Sequence, residues 1–131
     1  MTDLTAMGER AAAVKPLLQK LTAEEKNRGL LAAADALVEN TDRLLRANGR
    51  DMENAVKNGM NPGLQDRLRL TPERIRDMAE GLCQIAELPD CIGEVMEEFQ
   101  RPNGLKIKKV RVPMGVIGMI YEARPNVTAD A

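Results

Sequence analysis

The feature that most constrains the fold is an apolar run at residues 116–120, near the end of the sequence. It carries no polar residue on either face, which is typical of a strand covered on both sides in a parallel sheet. A short loop with Pro125 follows, and residues 127–131 are typical of the first turn of a helix. Strand, loop and helix start form the opening of a βαβ unit. Because a doubly buried strand needs parallel neighbours and none follows, we interpret the chain as the front part of a larger protein.

Residues 1–92 are predicted to be mainly helical, because apolar residues recur there at helical spacing. Pro16 lies inside the first helical pattern and is expected to kink or break that helix just before itself. Asn58-Gly59 predicts the end of a later helix. Asn61-Pro62 and Thr71-Pro72 each place a capping side chain before a proline at the first helical position, so two short helices should begin there.

Residues 93–113 predict a β-hairpin. Pro102-Asn103-Gly104 is a tight-turn signal, since Asn-Gly is strongly favoured between two hairpin strands. The apolar alternation of the second strand changes parity midway, which indicates a bulge near Lys108-Lys109 or a change of environment along the strand. Glu97 and Glu98 are expected to lie across from this basic strand and to neutralise part of its charge.

The end of the chain also carries a resemblance to a known family. The segment from Arg111 to Thr128 contains the octet Tyr-Glu-Ala-Arg-Pro-Asn-Val-Thr. It resembles gamma-glutamyl phosphate reductase (glutamate-5-semialdehyde dehydrogenase), of the aldehyde dehydrogenase superfamily. The octet is specific to the reductase, whereas Pro-x-Gly-Val-Ile-Gly at residues 113–118 is shared across the superfamily. Residues 61–71 are also similar to the family, so the resemblance covers most of the chain and is weakest before Thr22.

The resemblance implies an α/β fold, and the composition fits an enzyme of the reducing cytoplasm. Residues 1–131 would be an incomplete N-terminal part of the cofactor-binding domain. A helical layer (1–92) and a protruding β-hairpin (93–113) would precede the first strand, loop and helix start of a dinucleotide-binding, Rossmann-like sheet (114–131). The implied reaction is the NADPH-dependent reduction of L-glutamyl 5-phosphate to L-glutamate 5-semialdehyde in proline biosynthesis. The family uses a cysteine nucleophile, and neither Cys83 nor Cys91 lies in surroundings that resemble it. We therefore expect no complete active site here.

Asn126 is the candidate catalytic residue. Reduction of an acyl phosphate through a cysteine passes through a tetrahedral oxyanion, which a side-chain amide can stabilise. By resemblance, Asn126 matches the asparagine that aldehyde dehydrogenases place just after this strand for that purpose. The linker before it is longer than in most of the superfamily. Taken from the residues alone, the competing interpretation is a helix cap.

The residues before Asn126 are candidates for ligand contacts. Tyr121, Glu122 and Ala123 lie where the carboxyl end of the strand should meet the dinucleotide, as ligands do in open α/β sheets. An ordinary structural loop is the alternative for these three. Arg124 could bind a carboxylate or phosphate of the substrate through its planar guanidinium, or could pair with a carboxylate such as that of Glu122.

Composition excludes several other classes of function. The 19 basic and 20 acidic residues give a net charge of −1, and Tyr121 and Phe99 are the aromatic residues, so a nucleic-acid partner is not expected. Without histidine, neither a Ser-His-Asp site nor a histidine metal site can form, and the spacing of the two cysteines matches no metal or redox motif. We expect no metal, no membrane span and no signal peptide.

Two questions stay open from the sequence. The basic strand of the hairpin is either a solvated face or, as in the superfamily, part of a subunit contact in a homo-oligomer. The whole chain is either part of the reductase or a non-catalytic helical interaction module that ends in a β-hairpin. A further alternative is the reductase half of a fused synthase.

Overall fold

The structure is a computed structural model that describes residues 3–131. Its elements are α1 (Leu4–Leu18), α2 (Ala23–Glu39), α3 (Thr41–Lys57), α4 (Pro62–Leu68), α5 (Pro72–Glu87), β1 (Val95–Gln100), β2 (Lys106–Val110) and α6 (Val127–Asp130). The chain divides into two compact units. The hairpin unit comprises the described residues up to Ala23 together with Pro89–Gly118, and the helical unit comprises Glu24–Leu88 together with Met119–Ala131. None of the helices between residues 3 and 131 is both long and apolar enough to span a membrane.

The helical unit is built around the inner face of α5. Ile75, Ala79 and Leu82 are buried at spacings of four and three, which places them on one side of the helix. Ala34 of α2 completes the buried cluster with Ala79 and Leu82, and Ala129 of α6 packs against it. This contact fixes the end of the chain, including α6, against the core of the helical unit.

The predicted helix ends of this unit are confirmed. Asn61 Oδ1 accepts a 2.9 Å hydrogen bond from the backbone N–H of Leu64, and Thr71 Oγ1 accepts one of 3.2 Å from Arg74 N–H. At the end of α3, Gly59 has a φ of 69°, and the N–H of Met60 donates to the carbonyl of Ala55. That six-to-one bond closes a Schellman motif, which requires the left-handed conformation that glycine adopts without strain.

In the hairpin unit, the predicted turn and charge pairing are confirmed. Gly104 has a φ of 87°, and its N–H donates to the carbonyl of Arg101. The strands pair antiparallel with Glu98 opposite Lys108, whose Nζ lies 3.2 Å from the carboxylate. The bulge, however, lies on β1 between Val95 and Glu97, not on β2 near Lys108-Lys109. The extra residue is on the partner strand, which shifts the pairing parity as effectively as an insertion in β2.

Of the two outcomes expected at Pro16, a kink or a break near Lys15, the break is wrong, because α1 continues through Pro16 to Leu18. Proline removes one helical hydrogen bond and crowds the carbonyl four residues earlier. Here only two helical residues follow the proline, so the disturbance is confined to the last turn.

The predicted strand at residues 116–120 is not formed. These residues are irregular, and no backbone hydrogen bond joins residues 112–123 to another part of the described backbone. Ile117 and Ile120 are 64% and 102% exposed, although burial was expected on both faces. A strand exists only through its ladder of hydrogen bonds, and residues 3–131 provide no segment that pairs with this one. The described chain is therefore mostly helical with one two-stranded antiparallel hairpin, and contains no Rossmann-like sheet.

Candidate functional site

A cleft of about 440 Å³ lies within the helical unit. We call it the arginine cleft, because four arginines and three aspartates line it together with Asn126: Arg67, Arg69, Arg74, Arg124, Asp66, Asp77 and Asp130. One wall is the segment 124–130, which contains the start of α6. The other wall comprises the end of α4, the linker that follows it and the first turns of α5. Residues that are distant in the sequence thus meet at one charged concave surface.

The linker between α4 and α5 is held firmly by a buried side chain. Asn48 of α3 is 5% exposed, its Nδ2 donates a 2.8 Å hydrogen bond to the carbonyl of Leu68, and its Oδ1 accepts one of 2.8 Å from Leu70 N–H. Burying a side-chain amide costs little free energy when it hydrogen-bonds to two backbone groups. Removing it is destabilising, because both backbone groups then lose their partner. Asn48 therefore fixes the backbone on both sides of Arg69.

Arg74 supports the same linker from α5. Its Nη1 donates to the carbonyls of Asp66 and Arg69, and its Nη2 lies 3.1 Å from Asp66 Oδ1. The guanidinium of Arg74 and the carboxylate of Asp66 are thus engaged in contacts within the protein and are not free to bind a ligand. Both side chains are partly exposed, so their ion pair adds little to stability, and its effect is mainly geometric.

The remaining arginines of the cleft are not engaged in this way. In the part of the chain that the structure describes, Arg67, Arg69 and Arg124 make no hydrogen bond or ion pair through their side chains. The pairing of Arg124 with Glu122, considered from the sequence, is not observed. Three arginines whose guanidinium groups have no partner among the described residues therefore line one cleft, which is a suitable composition for binding an anion.

Asn126 lines the cleft and does not cap the helix through its side chain. It precedes α6 with helical angles, φ −61° and ψ −31°, and its side chain makes no capping hydrogen bond. Its Nδ2 instead donates to Asp130 Oδ2 at 2.7 Å. The amide also carries a second N–H, which this contact does not use. The structure thus places a side-chain donor on the same wall as Arg124.

Tyr121, Glu122 and Ala123 do not line the arginine cleft. The Tyr121 hydroxyl is hydrogen-bonded to Thr128 Oγ1, which ties the loop to α6. Ala123 has a φ of 53°, in the left-handed region that residues other than glycine rarely occupy. Among residues 3–131, no group of acidic or cysteine side chains is placed to hold a metal ion.

Arg124 and Asn126, two of the predicted site residues, line this cleft, whereas the sequence did not single out the residues of the other wall as candidates. Arg67 and Arg69 lie between the two predicted cap motifs, Asn61-Pro62 and Thr71-Pro72. In the sequence they are simply polar residues of a short helix and the linker that follows it. The available signal was the density of arginine between residues 67 and 76, where a helix end and a helix start meet.

Comparisons with known proteins agree on one relationship. No family model matches the chain. The chain is 47% identical over 131 residues to the gamma-glutamyl phosphate reductase of Anoxybacillus flavithermus, and 51% identical over 130 residues to that of Desulforamulus reducens. The matches cover 100% and 99% of this chain but 32% and 31% of those relatives. The chain therefore spans about one third of the length of the curated relatives it matches.

Solved structures give the same result. The crystal structure of gamma-glutamyl phosphate reductase from Thermotoga maritima matches with a TM-score of 0.92 at 38% identity, over 98% of this chain and 31% of that one. The enzyme from Saccharomyces cerevisiae matches with a TM-score of 0.91 at 29% identity, over 99% and 33%.

Along its whole length the chain is thus homologous to part of an oxidoreductase. The relatives and solved structures named above share one name, gamma-glutamyl phosphate reductase, and the chain is similar to an N-terminal portion of them.

Proposed function

We propose that the chain is the N-terminal portion of an NADPH-dependent reductase that converts L-glutamyl 5-phosphate to L-glutamate 5-semialdehyde in proline biosynthesis. The observation that carries this proposal is the high identity to gamma-glutamyl phosphate reductases along the entire chain. The substrate is then a small molecule with a phosphate and an α-amino acid group. The nucleophilic cysteine and most of the cofactor site would come from parts of the reductase that residues 1–131 do not include.

Asn126 stabilises the oxyanion in this reaction, and Arg124 binds an anionic group of the substrate. The support is that both residues line the arginine cleft, and that the Arg124 guanidinium has no partner among residues 3–131. The hydrogen bond from Asn126 to Asp130 orients the amide, and its second N–H is available to a developing negative charge.

Tyr121, Glu122 and Ala123 contribute one edge of the NADPH site, and the cofactor supplies the hydride. The left-handed backbone of Ala123 supports this role, because such conformations are concentrated at ligand sites. We also propose that residues 116–120 form the first strand of a Rossmann-like sheet in the complete enzyme. Their backbone makes no hydrogen bond within the described part of the chain and their apolar side chains are exposed, which are the properties of a strand that needs partners.

The complete enzyme is cytoplasmic and homo-oligomeric in this proposal, and residues 1–131 form part of its cofactor-binding domain. The hairpin is the proposed subunit contact. Apolar side chains on both of its strands are exposed, including those of Met96, Phe99 and Val110. Several exposed apolar side chains on one small element favour an interface.

The test uses a composite enzyme, in which residues 1–131 of this chain replace the matching N-terminal part of the Desulforamulus reducens reductase. We expect it to oxidise NADPH in the presence of L-glutamyl 5-phosphate, whereas the 131-residue chain alone should neither catalyse the reaction nor bind NADPH in calorimetry. A composite that folds but lacks reductase activity would contradict the proposal. It would favour a non-catalytic interaction module instead.

A further inference from the structure

We propose that the α4–α5 wall of the arginine cleft recognises the amino-acid end of the substrate, with Arg69 binding the α-carboxylate and Asp77 binding the α-ammonium group. This inference rests on the proposed function and deepens it, because it assigns substrate specificity to residues outside the segment 121–128.

The charges that remain free in the cleft have both signs. Arg74 and Asp66 neutralise each other, as their ion pair shows. Arg69 keeps an unpaired guanidinium, and Asp77 has a carboxylate without a hydrogen bond or ion pair in the described residues. A site for an isolated phosphate would gain nothing from an unpaired carboxylate, which repels an anion. The free cations Arg67 and Arg69 and the free anion Asp77 on one wall together match a zwitterion, the charged form of an α-amino acid.

Substrate orientation follows from the positions of the other groups. Asn126 and Arg124 lie on the opposite wall, within one short segment. If the acyl phosphate reacts beside Asn126, its phosphate is close to Arg124. The α-carbon is then directed towards the other wall, where Arg69 and Asp77 lie. The wall with Arg124 therefore binds the acyl phosphate, and the wall with Arg69 and Asp77 binds the groups on the α-carbon.

The wall is preorganised for this task. Asn48 fixes the carbonyl of Leu68 and the N–H of Leu70, so the backbone on either side of Arg69 is held before any ligand arrives. Arg74 donates a 2.7 Å hydrogen bond to the Arg69 carbonyl. Holding a binding residue in place lowers the entropy lost on binding, which is the basis of preorganised affinity.

The experiment measures the reverse reaction of the composite enzyme, aldehyde oxidation with inorganic phosphate and NADP⁺, on three aldehydes. L-Glutamate 5-semialdehyde has both α groups, 4-aminobutanal lacks the carboxylate, and 5-oxopentanoate lacks the amino group. We expect Arg69→Gln to raise KM for the semialdehyde by roughly tenfold or more and to leave KM for 4-aminobutanal unchanged. Asp77→Asn should raise KM for the semialdehyde but not for 5-oxopentanoate. kcat should change little in either variant.

Arg76→Gln is the matched control, because Arg76 is on α5, pairs with Glu73 and does not line the cleft. It removes the same charge and should leave all three KM values unchanged. If Arg69→Gln raises KM equally for all three aldehydes, or for none, the proposed recognition is wrong.

A composite without any activity would count against the proposed function and not against this wall. The wall is then tested in the 131-residue chain by NMR titration with L-glutamate. We expect L-glutamate to shift the amide signals around Arg69 and Asp77, and butyrate, which carries neither the α-carboxylate nor the α-ammonium group, to shift them far less. Equal shifts with both ligands, or none with either, would overturn the inference.

Discussion

The side-chain amide of Asn126 donates a 2.7 Å hydrogen bond to Oδ2 of Asp130, one helical turn further on. A carboxylate can only accept, so the Nδ2 end of the amide must face Asp130 and the carbonyl end must face elsewhere. Asp130 is therefore a positioning residue, which decides how the donor of Asn126 is presented to the cleft.

Replacing Asn126 with aspartate should reduce kcat of the composite enzyme by about 10²–10³ and leave KM nearly unchanged, because the donor acts only as oxyanion charge develops. The new carboxylate would repel both the oxyanion and Asp130. Steady-state kinetics checks this, with Asn54→Asp on the exposed side of α3 as the control. Near-normal turnover of Asn126→Asp would show that the residue has no part in catalysis.

Removing Asp130 should reduce turnover less than removing Asn126, by about tenfold, since the amide stays present but loses its orientation. The informative variant combines Asp130→Ala with Asn126→Ala. If Asp130 acts through Asn126, the double variant is no slower than Asn126→Ala alone. Additive losses in kcat would mean that the two residues act independently.

Asn48→Ala should lower the free energy of unfolding of the chain by about 2–3 kcal/mol, because a buried donor and a buried acceptor of the linker lose their partner. Urea denaturation followed by circular dichroism measures this. Asn54→Ala, on the exposed side of the same helix, should change the value by no more than about 0.5 kcal/mol. Equal effects of the two substitutions would show that the hydrogen bonds of Asn48 do not stabilise the linker.

The pKa of Glu73 lies below its ordinary value, because its carboxylate accepts hydrogen bonds from its own backbone N–H and then from the Thr71 hydroxyl, with a smaller contribution from Arg76. The lowered pKa means that the folded state favours the charged form. This stabilisation is present above the pKa of the unfolded chain and is lost as the pH falls through the folded pKa. NMR titration should show the low pKa in the unmodified chain and a higher one in Thr71→Val. An unchanged pKa in Thr71→Val would exclude the hydroxyl as a cause.

The isolated chain should self-associate through residues 112–123, whose backbone is not hydrogen-bonded to the rest of the described chain and whose apolar side chains are exposed. A version that ends at Arg111 should associate less. Light scattering over a concentration series compares the two. If the 131-residue chain is more monomeric than the version that ends at Arg111, this segment does not drive association.

The sequence allowed prediction of those features that depend on neighbouring residues. The caps at Asn61 and Thr71 and the turn at Gly104 are local, and a few residues determine each of them. The strand at residues 116–120 could not be judged in this way, since a strand requires a partner segment. The arginine cleft was missed for the same reason, because Arg69 and Arg124 meet only through the packing of α5 against α6.

The two hydrogen bonds that Asn48 makes to the α4–α5 linker also have a consequence for the motion of the cleft. A linker between two helices is ordinarily among the first parts of a domain to open, and its amides exchange with solvent quickly. The N–H of Leu70, however, is bound to a side chain that is itself buried in α3. That amide can exchange only when α3 separates from the linker, so its protection should resemble that of a core amide. The wall that carries Arg69 therefore keeps its shape through the local fluctuations that open ordinary loops.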